Sequence, residues 1–262
     1  MHTPDGLAAD VTRLGVTPGD LLIVHASLRA IGPVEGGAKG VIRALDAAVG
    51  PGGTLLMNIS ARDDMSWVNE RPEADRDALL QGTTPFDCLV APADPEVGVL
   101  AEVFRQTPGT VVSNHPEGRF ASRGRLAGHL MAEVPWDDYY GPKSPLHVLT
   151  ENGGKVLRLG ADLGTVTLLH YAEYLASVPH KRRVRRHRLV ASARGPIVRV
   201  IECLDDQHGI VDYPAGDYFA AILSAYLDEG RARAGGVGST TAELIDAADL
   251  VEFATAWMER MF

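Results

Sequence analysis

A histidine and a glutamate three residues apart, His170 and Glu173, are the pair in this sequence best suited to moving a proton. The apolar run from Lys155 to Gly160 predicts a strand, and the residues that follow predict a helix with Thr165 as its N-cap. Residues three apart are neighbours on a helix surface, so the imidazole and the carboxylate would share one face. A helix that begins just beyond a strand end directs its first turn into the crevice where α/β proteins bind ligands. The spacing fits equally well a surface pair that only supports the helix.

Two further histidines fall at predicted strand ends. His25 ends a buried strand at residues 21–25, and His115 precedes a proline after a predicted strand at 110–114. Both could reach the crevice of His170, since parallel strands end at one edge of a sheet. Each is as compatible with a structural hydrogen-bonding role as with a catalytic one.

The order of the predicted elements indicates the fold. Strand, glycine-bearing loop, helix and strand follow one another over residues 21–59, which argues for a mainly parallel or mixed sheet. Two polar loops rich in acids and prolines cover 60–95 and 135–142, and strands at 184–193 and 197–203 would form a hairpin. Helices are predicted at 7–14, 40–49, 97–106, 125–133, 144–152, 217–228 and 240–260. We therefore expect one α/β domain over 1–262, with a mixed central sheet flanked by helices, an additional β-hairpin and long acidic loop insertions.

The charge pattern disfavours a nucleic-acid-binding protein. Formal net charge is −9, and six basic residues without an acid lie in 181–188, which leaves 19 basic against 34 acidic residues elsewhere. A surface of this kind repels nucleic acid and concentrates cations. The basic run lacks interleaved aromatic residues. The run could be an RNA- or phosphate-binding patch, but this spacing is more typical of a solvated strand or loop face, or of a set of partners for nearby carboxylates.

Cysteine usage and hydropathy bear on compartment. Cys88 and Cys203 form neither a disulfide framework nor a metal-ligand spacing, which favours a reducing compartment and no bound metal. The N-terminal residues lack the basic and apolar regions of a signal peptide, and no apolar run is long enough to span a bilayer. We expect a cytoplasmic protein without a membrane partner.

Several motifs together resemble one enzyme family. They are Val-His-Ala-Ser-Leu-Arg at 24–29, Gly-Pro-Val-Glu-Gly-Gly at 32–37, Ser-Asn-His-Pro at 113–116, Ser-Pro at 144–145 and Leu-His-Tyr-Ala-Glu at 169–173. In this order they are similar to the aminoglycoside 3-N-acetyltransferases, a family distinct from the common acetyltransferase superfold. The resemblance covers nearly the whole chain and is strongest over 14–60 and 97–183.

The resemblance implies a reaction and a base. Acetyl would pass from acetyl-coenzyme A to the 3-amino group of a 2-deoxystreptamine aminoglycoside by direct attack, giving antibiotic resistance. His170 would be the general base, because the substrate amine is mostly ammonium near neutral pH and a histidine with a pKa near 6.5 can take its proton. An acid in the turn after the hairpin, Asp205 or Asp206, would orient the imidazole in preference to Glu173.

The resemblance also implies two binding surfaces. The cofactor-binding residues would be Ala26, Ser27, Leu28, Arg29, Val34, Gly36, Gly37 and Ser113. A polycationic acceptor needs carboxylates, and the acids of the loops expected around the crevice are Asp63, Asp64, Glu117, Asp137 and Asp138.

Some features depart from the family pattern. The His-Pro step continues as Glu-Gly-Arg-Phe at 117–120 instead of a run of small residues, and the 60–95 loop also differs. An alternative function is therefore a coenzyme A-dependent N-acyltransferase that acts on a different amine in biosynthesis. A homodimer is left open.

Overall fold

The computed structural model of the protein describes residues 1–60 and 65–262. Its strands are β1 Leu21–Ala26, β2 Thr54–Asn58, β3 Val111–Val112, β4 Phe120–Gly124, β5 Lys155–Leu159, β6 Arg183–Val190, β7 Ile197–Leu204, β8 Arg233–Val237 and β9 Thr240–Asp246. Its helices are α1 Pro4–Leu14, α2 Leu28–Ile31, α3 Gly37–Val49, α4 Ser66–Asn69, α5 Glu73–Leu80, α6 Val99–Arg105, α7 Ala127–Met131, α8 Pro145–Glu151, α9 Leu169–Leu175, α10 Tyr218–Asp228 and α11 Ala247–Met261. Within these ranges no helix is long and apolar enough to cross a bilayer.

Seven of the described strands form one mixed sheet in the order β3-β4-β2-β1-β5-β9-β8. β1 is parallel to β2 and β5, and the other neighbours in this sheet are antiparallel. The central strand β1 is apolar up to His25 and buried along its length, as expected for a parallel strand with helices on both faces. The predicted mixed α/β sheet flanked by helices is confirmed.

Side chains alternate between the two faces of the sheet along a strand, so each face carries its own apolar residues. Helices cover both faces. Leu22 and Val24 of β1 pack into a core with α1, α3 and α6, whereas Ile23 packs into a second core with α8, α9, α10 and α11. Each such buried side chain contributes about 1.5–3 kcal/mol. The two cores therefore hold the central strands, and the loops at their ends, in fixed positions.

The three parallel strands end at one edge of the sheet, where the loops gather. β1 ends at Ala26 and β2 at Asn58, while β5 continues into Gly160. Gly160 has a φ of 63°, and a Cβ there would lie 2.4 Å from the Thr240 hydroxyl oxygen. Only glycine fits this turn, which directs the chain from β5 toward α9.

β6 and β7 form a separate two-stranded antiparallel sheet beside this edge. A backbone bridge between Phe86 and Val190 joins β6 to the preceding loop, and α4 and α5 pack against β6 from outside. Where the structure describes it, the stretch 60–95, predicted as a loop, contains the short helices α4 and α5. The sequence pattern did not predict the strands β4 and β8.

The predicted helix at 240–260 is wrong over its first seven residues, which form β9. β9 pairs with β5 and β8, and Ala242 and Ile245 are fully buried. Alanine, glutamate and leucine favour a helix locally, but burial between two strands overrides that propensity. α11 begins after Asp246, whose carboxylate accepts a hydrogen bond from the Asp249 N–H at 3.0 Å.

Thr165 is not the N-cap of the helix that carries His170. It lies in a single 3-10 turn, Leu163–Thr165, where its hydroxyl donates to the Asp162 carbonyl at 2.7 Å. α9 begins four residues later, at Leu169. His170 is therefore in the first turn of its helix, which aims it toward the sheet edge.

Candidate active site

His170 and Glu173 form a hydrogen-bonded pair at the sheet edge. His170 Nδ1 lies 2.7 Å from Glu173 Oε2, and Glu173 is only 1 % exposed. The other carboxylate oxygen accepts a hydrogen bond from the Tyr218 hydroxyl, which itself accepts one from the Ile210 N–H at 3.1 Å. The pair is therefore the start of a buried chain from histidine to glutamate to tyrosine, and not a surface pair.

These hydrogen bonds determine which ring nitrogen of His170 carries the proton. With a carboxylate that accepts from both Tyr218 and the ring, Nδ1 is assigned as the donor, and in the neutral imidazole Nε2 then presents its lone pair. Tyr140 stacks on the ring with centroids 4.8 Å apart and planes at 8°, and Phe219 contacts it edge-on at 4.7 Å. The ring is held on two sides while its side chain stays 17 % exposed. It can accept a proton from a bound ligand.

The environment also sets the basicity of His170. Burial lowers its pKa, but the charge of Glu173 and its hydrogen bond outweigh burial, and the pKa lies above the ordinary 6.5. Asp206 adds to this increase and Arg186 opposes it. The result is a base stronger than a free histidine.

Asp205 does not bind the imidazole. Its carboxylate accepts hydrogen bonds from the N–H groups of Gln207 and His208 at 3.1 and 3.0 Å and so closes its own turn. The preference for Asp205 or Asp206 over Glu173 as the partner of His170 is wrong, because it is the Glu173 carboxylate that accepts the hydrogen bond of Nδ1.

Asp206 has a different position near the pair. It accepts hydrogen bonds from Arg186 at 2.5 Å and from the Tyr139 hydroxyl at 2.6 Å. Burial raises its pKa, but the Arg186 guanidinium and His170 outweigh burial and hold the pKa below its usual value. Asp206 is thus an ionised carboxylate that acts on His170 through space.

Three clefts meet at His170. The β1 cleft, about 490 Å³, lies between the end of β1 and the start of α6; the hairpin cleft, about 810 Å³, lies between β6 and residues 84–96. The α10 cleft, about 690 Å³, lies along residues 206–219. His170 lines all three, so ligands in different clefts could meet at its ring.

The β1 cleft contains part of the expected cofactor-binding set. Ala26, Ser27 and Leu28 line it, and the Ser27 hydroxyl caps α2 through the Ala30 N–H at 3.3 Å. The other predicted members do not line it; these are Arg29, Val34, Gly36, Gly37 and Ser113.

Two of these residues have structural contacts instead. Val34 makes a backbone bridge to His2. The Ser113 hydroxyl is fully buried, where it donates to the Gly118 carbonyl at 3.0 Å and accepts from the Phe120 N–H at 2.9 Å.

The other two candidate histidines have low basicity. His25 lines the β1 cleft, and burial together with the charge of Arg158 lowers its pKa to about 4. His115 is fully buried and uses both ring nitrogens: Nε2 contacts the Trp136 carbonyl at 3.0 Å, and Nδ1 accepts from the Gly118 N–H at 2.7 Å. Burial lowers its pKa also to about 4. His115 therefore holds a turn and does not reach the clefts.

The predicted acceptor-binding acids are mostly engaged elsewhere. Asp137 accepts from the Glu202 N–H at 2.7 Å, and Asp138 pairs with Arg183 at 2.8 Å; neither lines a cleft. Glu117 lines the hairpin cleft but pairs with two buried arginines of β6. Asp63 and Asp64 lie outside the described residues.

The basic run at 181–188 supplies partners for carboxylates. Arg183 pairs with Asp138, Arg185 with Glu73 and Arg186 with Asp206. Of the interpretations left open above, these contacts support a set of partners for nearby carboxylates.

Several site residues were missed by sequence reasoning. Asp87, Asp94 and Glu96 line the hairpin cleft and are at least partly exposed, and Glu96 also lines the β1 cleft. Their location in a long acidic loop was a usable signal. Nothing in the sequence pattern indicates that Tyr140 stacks on His170 or that Tyr218 donates to Glu173.

Comparison of the sequence with known proteins points to one family. A family model of aminoglycoside 3-N-acetyltransferases matches residues 23–259. Aminoglycoside N(3)-acetyltransferase III of Serratia marcescens is 38 % identical over 268 residues, which covers 100 % of this chain and 99 % of the relative. Aminoglycoside N(3)-acetyltransferase VII of Streptomyces paromomycinus is 38 % identical and covers 97 % of this chain and 90 % of its own.

Solved structures agree with these matches. AAC-IIIb in binary complex with CoASH has a TM-score of 0.91 at 40 % identity, covering 99 % of this chain and 97 % of that chain. AAC-VIa bound to sisomicin has a TM-score of 0.91 at 35 % identity, covering 98 % and 97 %. By sequence and by fold, the chain belongs to the aminoglycoside 3-N-acetyltransferase family.

Proposed function

We propose that this protein transfers the acetyl group of acetyl-coenzyme A to the 3-amino group of a 2-deoxystreptamine aminoglycoside, with His170 as general base. One observation carries the proposal: His170, with its raised pKa, lines the β1 cleft and the hairpin cleft together. The relative solved with CoASH and the relative bound to sisomicin support coenzyme A and an aminoglycoside as the two ligands, and we assign the first to the β1 cleft and the second to the hairpin cleft.

In this proposal the reaction is a direct attack in a ternary complex. The amine nitrogen bonds to the thioester carbon while His170 Nε2 takes one of the amine's protons. The carbon–sulfur bond then breaks, and the His170 imidazolium returns that proton to the departing thiolate of coenzyme A. Cys88 and Cys203 line none of the three clefts, and burial raises their pKa values to about 11 and about 12. Both thiols are poor candidates for an acetyl-enzyme intermediate.

Acidic groups support binding of a polycation in the hairpin cleft. Asp87, Asp94 and Glu96 lie along it, and Asp206 lies deeper, beside His170. Each charged contact contributes about 1.5–3 kcal/mol when it is desolvated. Because Asp206 already balances Arg186, the outer three acids are the better partners for ammonium groups distant from the reacting amine.

Release of free thiol tests this proposal. The protein is mixed with acetyl-coenzyme A and a panel of aminoglycosides, thiol is followed spectrophotometrically, and the acetylated nitrogen is located by NMR of the product. We expect release that depends on the aminoglycoside and acetylation at the 3-amino group. If no member of the panel stimulates release, the acceptor is wrong.

The second candidate keeps the same chemistry with a different amine. The departures at 117–120 and in the 60–95 loop favour it, since both segments border the hairpin cleft. Firm coenzyme A binding with slow turnover of every aminoglycoside would support this alternative.

The raised pKa of His170 predicts a pH dependence. The base must be neutral to act, and its pKa lies above 6.5, so kcat/KM should rise tenfold per unit of pH below that pKa and level off above it. Measuring kcat/KM from pH 5.5 to 9 with an aminoglycoside of known amine pKa values separates this limb from titration of the substrate. An acid limb centred well below 6.5 contradicts the assignment.

Replacing Tyr218 by phenylalanine removes the hydroxyl that donates to Glu173. The carboxylate then acts on the imidazole with its full charge, so the acid limb should move to higher pH. Because Glu173 also loses a hydrogen bond that positions it, kcat should fall about tenfold, with both KM values within about twofold. Tyr226→Phe is the matched control, since Tyr226 lies on the same helix and its hydroxyl bonds Asp249 at 2.6 Å, away from the clefts. Equal behaviour of the two variants would exclude a role for Tyr218.

A further inference from the structure

The hairpin cleft has two walls from different parts of the chain. The hairpin wall consists of Arg186, Arg188 and Leu189 on β6, and the loop wall is residues 84–96. The walls are joined at one end, where the Phe86 N–H donates to the Leu189 carbonyl at 2.8 Å. The distance between them elsewhere depends on what holds the loop wall.

A fully buried arginine holds the middle of the loop wall. Arg119 Nη2 donates to the Ala91 carbonyl at 2.6 Å, and Nη1 donates to the Pro92 and Ser60 carbonyls, each at 2.8 Å. The backbone of Arg119 is attached to the sheet, since the Ile59 N–H donates to its carbonyl at 3.0 Å. A guanidinium donates from a rigid plane, so these bonds fix the orientation of the wall as well as its distance.

The terminal nitrogens Nη1 and Nη2 of Arg119 donate to the main chain, whereas Nε has no hydrogen-bond partner in the described residues. In the part of the chain that the structure describes, no carboxylate forms an ion pair with Arg119. Burial lowers its pKa to about 10, so it remains a cation at neutral pH. Its contacts are charge-assisted hydrogen bonds, which are roughly twice as strong as neutral ones.

The groups that Arg119 holds are surfaces of the cleft. Ser60, Ala91 and Pro92 all line it, and so does Val90, which is 67 % exposed. The wall is attached to the hairpin at Phe86 and to the residue after β2 through the Asp94 N–H, which donates to the Ile59 carbonyl at 3.0 Å. Between these two attachments Arg119 anchors Ala91 and Pro92.

We infer that Arg119 is a positioning residue that sets the width of the hairpin cleft and thereby the size of acceptor that binds productively. The identity of the acceptor rests on the proposed function, whereas the anchoring of the wall does not. Displacement of the wall weakens contacts with acceptor rings far from His170 more than contacts near it. The loss of acceptor binding caused by a change at Arg119 therefore increases with the number of rings in the acceptor.

Arg119→Lys tests this by keeping the charge and removing the planar fork. We expect KM for a four-ring aminoglycoside to rise about tenfold, while KM for a two-ring aminoglycoside and for acetyl-coenzyme A stay within about twofold. Arg123→Lys is the matched control, because Arg123 lies on β4 and pairs with Asp46 at 2.9 Å, away from the cleft. Equal changes in all three KM values, or none, overturn the inference.

Amide hydrogen exchange provides a second measurement that needs no acceptor. The Ala91 N–H donates to the Asp87 carbonyl at 3.0 Å and the Ala93 N–H to the Glu102 carboxylate at 2.7 Å, so both amides should exchange slowly in the unaltered protein. In Arg119→Lys, which frees the carbonyls beside them, their exchange should accelerate at least about tenfold while β1 is unaffected. Rapid exchange at Ala91 and Ala93 in the unaltered protein overturns the inference, even if Arg119→Lys does not fold. A protein that acetylates no aminoglycoside contradicts the proposed function, and the exchange result then judges the anchor alone.

Discussion

Replacing His170 by alanine should lower kcat at least about 100-fold, the usual loss when a general base is removed, and leave coenzyme A binding within about twofold. The ring makes no hydrogen bond to main chain through Nε2 in the described residues, and Ala26, Ser27 and Leu28 of the β1 cleft are untouched. Stopped-flow or steady-state thiol release gives kcat, and calorimetry gives the dissociation constant of coenzyme A. The remaining activity should increase with pH in proportion to the neutral amine, without a limb from histidine.

His129→Ala is the control for this variant. His129 is exposed on α7 and lines none of the clefts, so its removal should leave kcat within about twofold, as surface substitutions usually do. Near-normal turnover in His170→Ala would remove His170 from the chemistry. A parallel loss of coenzyme A binding would instead indicate that the ring shapes the clefts.

Replacing Glu173 by glutamine should have the second-largest effect, a fall in kcat of about 100-fold. The amide has the same shape as the buried carboxylate but no charge, so it neither fixes Nδ1 as the donor nor stabilises the imidazolium that forms. Because the charge of Glu173 is what raises the pKa of His170, its loss should move the acid limb of kcat/KM to lower pH.

Glu252→Gln on α11 makes the same change at an exposed position and should leave both kcat and the acid limb unaltered. A purely structural role for Glu173 would lower the midpoint of thermal unfolding without shifting the limb. An unchanged limb in Glu173→Gln, with the fold intact, would contradict the account of the pair.

Local patterns predicted the frame of the protein well. The βαβ unit at 21–59 follows from buried apolar strands and glycine stops, and His25 and His170 fall near strand ends, where the structure places them. The spacing of His170 and Glu173 also predicts their contact. These features depend on residues close in sequence, whose geometry a helix or strand determines.

The predictions that were wrong concern residues whose role depends on contacts with distant parts of the sequence. Glu173 is buried because α10 brings Tyr218 onto it from 45 residues away. Glu117 is neutralised because β6 places Arg186 and Arg188 beside it. Sequence periodicity carries no information on such distant contacts. An acid that pairs with a buried arginine therefore cannot be distinguished by sequence from one that can bind an ammonium group.

The most direct test of the central claim is a structure of the unaltered protein with coenzyme A and an aminoglycoside bound together. Without an acetyl group this complex cannot react. We expect the 3-amino nitrogen in the hairpin cleft, within about 3 Å of His170 Nε2 or joined to it through one water, with the thiol of coenzyme A approaching from the β1 cleft. An aminoglycoside bound with its 3-amino group away from His170, or a thiol outside the β1 cleft, would contradict it.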